Sequence, residues 1–367
     1  MINLNKHGKR WVAAWALFLM LFYLFITIVA AWKVYEDKVE AQKHHQNRLD
    51  AYSQEQGRTW IDPKLLYEDA ENPAQKVKVG IYIDHIVDLS TKDTSWTVDF
   101  YIWFRWQDKN LHPGETFQVM DGTIISREKT KTLQHGQETY ELYRVIAQIT
   151  KFFNVTRYPR DDHLLTLSIE DSMHPWQRLH YVADKDASDL SSRLKLPGYQ
   201  VNKTFMVTKP HPYKTSRGDP RLKADHMAVY DQVIYGIEIS RPDWGLYFKM
   251  FQPLFASVAI AFLVFFMNPA GEGRVGLGIG AFFAAVASSY VTTTELPGVG
   301  ILTLSDMVNI MGMVTIFLSV FGSVIVMHIA KDEMQIELAR LFDRVSLLVF
   351  VAGYGIANIL IAQVASL

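Results

Sequence analysis

Five stretches of the chain are apolar enough for a bilayer, whose hydrocarbon core takes about 20 residues of helix. Trp11–Trp32, Tyr247–Met267, Met307–Ala330 and Val345–Val364 are nearly uninterrupted, and Val275–Val291 is weaker, carrying glycines, serines and a tyrosine. A polar region of roughly 200 residues, enough for a folded domain, separates the first stretch from the second. Lys6, Lys9 and Arg10 precede the first stretch and place the N-terminus in the cytoplasm by the positive-inside rule. The pattern predicts a cytoplasmic N-terminus over 1–10 and an anchor helix over 11–32. A cleaved signal peptide is the other reading, since Val29-Ala30-Ala31 resembles a cleavage site; the run exceeds the about 7–15 apolar residues usual there. Both readings put the polar region outside the cytoplasm. Residues 33–76 form a predicted stalk, whose first part lacks Gly and Pro up to Gln56 and continues the anchor helix.

From Val77 the period becomes two, the mark of a half-buried strand. Val77, Val79, Ile81 and Ile83 share one face. In the next strand Trp96, Val98, Phe100, Ile102, Phe104 and Trp106 alternate with Thr97, Asp99, Tyr101, Trp103 and Arg105. The first set makes an apolar face suited to a sandwich core, and the second sends Tyr101 and Trp103 outward. Further strands are predicted over Tyr140–Lys151, Leu164–Glu170, Thr204–Thr208 and Met227–Ser240, with Lys209–Asp225 as a long charged hairpin loop. No helix–strand alternation of the parallel kind occurs. The fold class is therefore an all-β sandwich domain over 77–240 with an α-helical transmembrane domain over 241–367.

Composition narrows the chemistry. The chain of 367 residues carries a formal net charge of −1 and no cysteine. There is no basic excess for a nucleic-acid partner, and no disulfide or thiolate metal site. No nucleophile–base or metal constellation appears, so no enzyme, cofactor or metal is expected. His44-His45 do not share a helix face, and His112, His163, His174 and His180 are dispersed, as surface or core polar residues would be, with pH sensing as the other reading.

The segment from Gly271 to Gly276, GEGRVG, satisfies G-x-G-x-x-G, with Glu295 following. A nucleotide loop would need a preceding strand; here an apolar helix precedes. Gly276 and Gly280 also form a small-xxx-small pair, a helix-packing device. On helical spacing Gly276, Gly280, Phe283, Ala287, Tyr290 or Val291, and Thr294 share one stripe.

Several motifs, in order, resemble one family. Trp106-Gln-Asp108-Lys-Asn-Leu111 looks like W-x-D-x-x-L, and Phe153–His163 with Tyr158, Pro159 and Asp161 looks like the signature loop. Arg241 precedes the first channel helix, which contains Pro253, and Arg274–Ile279 looks like the start of a pore helix. Leu296-Pro297, Leu302–Asp306, Phe342–Ser346 and Asn358 resemble the segments beyond. In these residues, over roughly 77–365, the chain resembles the pentameric ligand-gated ion channels (the Cys-loop receptor superfamily), especially their cysteine-free bacterial branch. Residues 1–76 lie outside the resemblance, and an N-terminal membrane helix is not part of the family plan.

The resemblance implies a homopentamer in the bacterial inner membrane, with the β domain in the periplasm and gated passive ion conduction. Its partners would be membrane lipid, inorganic ions and an agonist that is a small molecule, a proton or a protein. Glu272, Arg274, Gly276, Gly280, Phe283, Ala287, Tyr290, Val291 and Thr294 would line the pore. Phe283 would be the gate, since apolar rings can close by dewetting. Glu272 and Glu295 favour cations, whereas Arg274 resembles anion-selective members; the balance leans to cations. Asp88, Tyr158, Pro159, Asp161, Arg241, Glu295 and Pro297 would couple the domains. Tyr101, Trp103 and Tyr213 would face a ligand between subunits, although 112–127 lacks the family's W-x-P-D. The alternative function is a non-conducting sensor or scaffold of the same fold, binding a partner through its N-terminal helix and stalk.

Overall fold

The computed structural model describes residues 6–50, 73–220, 227–294, 296 and 300–366. Glu295, Pro297 and the stalk residues 51–72 lie outside them. The described chain divides into two compact units, and the division does not follow the chain. One unit gathers the N-terminal helix up to Val39, the internal segment Asn154–Asp161 and everything from Arg241 onward; the other holds Glu40–Phe153 and Asp162–Ser240. The boundary after Ser240 coincides with this division, whereas Asn154–Asp161, inside the predicted β domain, belongs to the helical unit. Asn154–Asp161 packs with the helices because its backbone and side chains are spent on helix ends, as described below.

The β unit contains β1 (Gln75–Ser90), β2 (Ser95–Trp106), a single helical turn α2 (Pro113–Thr116), β3 (Phe117–Val119), β4 (Gly122–His135) and β5 (Glu138–Thr150). Then come β6 (Asp162–Asp171), β7 (Leu179–Ala183), β8 (Asp189–Leu190), β9 (Gln200–Pro212) and β10 (Val229–Ser240). One sheet runs β4-β5-β2-β1-β7 with β8 also on β1; the other runs β3-β6-β10-β9. Most neighbours are antiparallel, while β7 and β8 join β1 in parallel. The two apolar faces predicted from alternation are the core: Val77, Val79, Ile81, Ile83, Trp96, Val98, Phe100, Ile102 and Phe104 are all fully buried. Register shifts after Ile83 and Ile86 account for the loss of alternation toward Ser90, since each bulge turns the following side chains over. Phe104 of one sheet meets Phe117 of the other at 5.3 Å between ring centres, so the sheets face each other across this core.

Several strands lie outside the predicted set, β3, β4, β7 and β8 among them. β4 pairs with β5 along nearly its whole length. Almost all its side chains are exposed, so burial left no apolar period in the sequence to read. Asp88 lies within β1, and the turn that follows is confined to Thr91–Thr94, where Thr94 takes a positive φ of 51°. β9 reaches Pro212, shortening the predicted hairpin loop at its start.

The helical unit contains α1 (Lys6–Leu49) up to Val39, α3 (Trp244–Phe262) continued by a 3-10 turn to Phe266, α4 (Gly273–Thr294), α5 (Leu304–Ile329) and α6 (Ile336–Ser366). Among the described residues five helices are long and apolar enough to cross a membrane, which points to a membrane protein. Anchor and stalk are one helix through Leu49, as expected. One core joins all five helices: Leu19, Tyr23, Phe251, Leu254, Ala281, Ala285, Val308 and Phe350 belong to it.

α1 is not a loose tether. Val12, Ala16, Leu19, Tyr23, Ala30 and Val34 recur at helical spacing and are buried. Trp15 Nε1 donates to Ser346 Oγ at 3.0 Å, and the hydroxyls of Tyr23 and Thr315 bond at 2.8 Å. Tyr23 lies against Gly353, where a Cβ would come within 2.4 Å of its ring; only glycine admits this approach. The opposite face of α1 carries exposed Trp11, Phe18, Phe25 and Trp32, an apolar surface suited to lipid.

Candidate functional site

α4 has two unlike faces. Arg274, Gly278, Ala281, Ala285, Ser288 and Thr292 are buried, at steps of four and three along the helix, and α4 packs between α3 and α5 on that side. A Cβ on Gly278 would come within 2.2 Å of Val320, so glycine lets α4 and α5 close up. Asn309 Nδ2 of α5 donates to Thr292 Oγ1 at 2.8 Å. The other face is bare in the single chain. Gly276, Gly280, Phe283, Ala287, Tyr290, Val291 and Thr294 are all exposed, Phe283 by 67%. A Cβ at Gly276 or Gly280 would meet nothing within 4 Å. The stripe read from the sequence is thus one continuous, unpartnered face, flanked by exposed Ile279 and Val286.

Arg274 requires correction. Its side chain is fully buried rather than exposed with that stripe. Its two terminal nitrogens meet Asp343 of α6 at 3.0 and 2.6 Å, and Nη1 also donates to the Met267 carbonyl at 3.3 Å. Two residues of helix turn the chain by about 200°, so Arg274 and Gly276 cannot share a face. A signal was present in the sequence: ionisable residues inside apolar stretches seek each other, and Asp343 lies near the start of the last stretch. Glu272 remains exposed at the foot of α4.

The segment Asn154–Asp161 is a hub. Asn154 Oδ1 accepts from the Thr156 amide at 3.0 Å and its hydroxyl at 2.8 Å, folding the turn locally. The Thr156 carbonyl accepts the Leu304 amide, first of α5, at 2.7 Å. Arg157 Nη1 donates to the Ala365 carbonyl near the end of α6 at 3.2 Å, a cation satisfying a helix C-terminus. Arg160 Nη1 donates to the Pro242 carbonyl at 2.7 Å, and its guanidinium covers the Trp244 ring at 4.8 Å. Asp161 pairs with Arg241 at 2.9 Å, while Arg241 lies over the Tyr158 ring at 5.0 Å. Burial lowers the pKa of Arg157, opposed by the charges of Asp161 and Asp37. Tyr158, Pro159, Asp161 and Arg241 are therefore brought together, and the Tyr158–Pro159 bond is cis. Asp88 is an exposed residue of the β unit. On the α5 side, Thr303 and Asp306 form a reciprocal cap, with bonds of 3.2 and 2.9 Å.

No protein-family model matches this chain, and no curated protein matches it. The site is thus read from its own residues.

In the β unit, Tyr101 and Trp103 lie on the outward face of β2, as expected. Trp103 lies flat on Gly80, where a Cβ would fall 2.0 Å from its ring, and Nε1 donates to Asp184 Oδ2 at 3.2 Å. Tyr213 belongs to the other sheet's hairpin. Its hydroxyl donates to Glu170 Oε2 at 2.7 Å and its ring lies 4.3 Å under Arg217. Glu170 is fully buried and also accepts from Gln232 at 2.9 Å and pairs with His211. Within one chain, Tyr213 is not brought together with Tyr101 and Trp103. Sequence reasoning missed the buried carboxylates Glu170, Asp171 and Asp231, because strands with polar residues at buried positions carry no periodic mark.

Asp84, His85 and Asp99 place possible metal-ligand atoms within 4.8 Å of one another. Arg144 already occupies both Asp99 oxygens, at 3.2 and 2.7 Å, and Arg193 lies 3.7 Å from Asp84. Those guanidinium charges oppose a cation there, and the arrangement is a charge network across the sheet.

Proposed function

We propose that the chain is one subunit of a homopentameric gated ion channel of the pentameric ligand-gated type, residing in the bacterial inner membrane with its β unit in the periplasm. The observation that carries this reading is the bare face of α4. A helix buried on one side and lined on the other by Gly276, Gly280, Phe283, Ala287, Tyr290 and Thr294 needs an aqueous or protein neighbour there. Five copies around an axis supply both. The glycines leave side-chain-free width toward the inner end, and Phe283 forms the apolar ring that closes the path by dewetting.

Withdrawal of Arg274 into its pair with Asp343 supports cation selectivity. Glu272 is then the charge left at the inner mouth, and a ring of carboxylates attracts cations. The hub at Asn154–Asp161 supports a gated rather than constitutive path, because one short segment bonds the ends of α3, α5 and α6.

The test is thallium flux into proteoliposomes containing the purified full-length protein. Phe283→Ser should raise basal flux about tenfold or more, and Glu272→Gln in that background should lower thallium flux relative to chloride. Closure unchanged in Phe283→Ser, or an assembly other than five subunits by native mass spectrometry, would sink the reading.

A further inference from the structure

Arg160 is a buried cation without an anion. It is 5% exposed, and its Nη1 donates to a neutral acceptor, the Pro242 carbonyl, at 2.7 Å. Among the described residues no carboxylate pairs with it, and its buried Nε has no hydrogen-bond partner. A charge so placed is costly unless a counter-charge meets it. Arg241 and Arg274 have theirs, in Asp161 and Asp343.

The surroundings of Arg160 lead to the lipid surface. Pro242 lies two residues before Trp244, the first residue of α3, which is long and apolar enough to cross a membrane. The guanidinium lies 4.8 Å from the Trp244 ring, and that ring lies 5.9 Å from Phe248. Phe248 is 55% exposed, so the aromatic pair runs from the cation out to the apolar face of α3. Tryptophan at the end of a span sits at headgroup level, and a guanidinium held on a ring face is suited to phosphate. The start of α3 is open as well. Its N-cap Asp243 makes no side-chain cap bond, and its first turn carries no acidic residue. Gly245 in that turn is exposed, and a Cβ there would meet nothing within 4 Å. The first amides of α3 are therefore approachable by an acceptor. Lys249 in the second turn is exposed and adds positive charge. The opposing group is Asp243, exposed, whose charge reaches Arg160 without an ion pair.

We propose that Arg160, Trp244 and the start of α3 form a site for the phosphate of an anionic phospholipid, phosphatidylglycerol in type, from the leaflet at which α3 begins. The phosphate meets the guanidinium and the first-turn amides, and an acyl chain lies along Trp244 and Phe248. The lipid supplies the anion that the protein does not. This inference rests on the chain being a membrane protein and not on ion conduction, so a silent pore leaves it standing.

The experiment uses the full-length protein in detergent, with phosphatidylglycerol added at rising ratios, read by native mass spectrometry and by melting temperature. Phosphatidylglycerol should be retained at least about fivefold more tightly than phosphatidylcholine and should raise the melting temperature. Arg160→Gln should weaken its retention about tenfold and remove the melting shift. Asp243→Asn takes away the opposing charge at an exposed position and should tighten retention about threefold. It decides the matter if Arg160→Gln does not assemble. Unchanged retention in Arg160→Gln, or no tightening in Asp243→Asn, would overturn the inference. Equal retention of phosphatidylcholine, or the same melting shift from inorganic phosphate alone, would overturn the assignment to an anionic lipid.

Discussion

Replacing Asp231 by asparagine should remove a specific pH dependence from the β unit. Asp231 of β10 is 4% exposed. Its Oδ2 accepts the Tyr181 amide of β7 at 2.6 Å, joining the two sheets, and its Oδ1 accepts the Gln232 amide at 3.1 Å. Among the described residues no cation pairs with it. Glu170, Asp171 with its partner His174, His180, His211 and Tyr181 are the titratable groups around it. Burial raises its pKa from 3.8 to about 7; the two amides oppose the rise, and the charge of Glu170 adds to it.

An acid whose folded pKa is raised holds a proton that the unfolded chain has released. Its contribution to stability is therefore fully present below the unfolded value near 4 and is lost as pH rises through about 7. A rise of about three units at about 1.4 kcal/mol each gives at most about 4 kcal/mol lost by pH 8.5. For a unit of this size that is on the order of 10 °C in melting temperature. Thermal unfolding of the full-length protein in detergent, from pH 5 to 8.5, reads it directly. Wild type should fall with rising pH. Asp231→Asn should start lower, since its amide group cannot accept both backbone N–H bonds, and then fall less. The difference between the two curves isolates Asp231 from the surrounding histidines. Parallel curves would refute the reasoning.

Arg274→Gln leaves Asp343 buried without its cation and should cost about 3–5 kcal/mol, seen as a lower melting temperature in detergent. Arg274→Met with Asp343→Leu should recover most of that, and a single-variant loss below about 1 kcal/mol would count against the pair. Gly353→Val drives a side chain into the Tyr23 ring, an overpacking worth about 1–3 kcal/mol. Tyr23→Ala added to it should cost less than the sum of the two single losses, and strict additivity would show that α1 does not pack there.

The helices and the core strands were legible in the sequence because burial imposes a repeat. Length and apolarity located all five spans, and alternation located β1 and β2 down to the individual buried residues. What was hidden had no period to show. β4 is exposed on both faces, so Thr123–Gln134 shows no strand period although it pairs with β5 along one edge. The orientation of Arg274 was hidden for a different reason. Proximity to the foot of α4 suggested the open face, but its rotation about the helix and the counter-charge on α6 decide otherwise. The hub residues Tyr158, Asp161 and Arg241 were found through resemblance, whereas Arg157 and Arg160 emerge from burial and charge alone.

The interleaved division of the chain bears on how the protein could be recombined with others. Grafting a foreign β domain as one contiguous block up to Ser240 would carry off Asn154–Asp161. The helices would then lose the acceptor for the Leu304 amide, the donor at the end of α6 and the partner of Arg241. A workable chimera must transplant the β unit as two pieces and leave that octapeptide behind. The unit of inheritance for the membrane part is thus discontinuous in the gene while continuous in space.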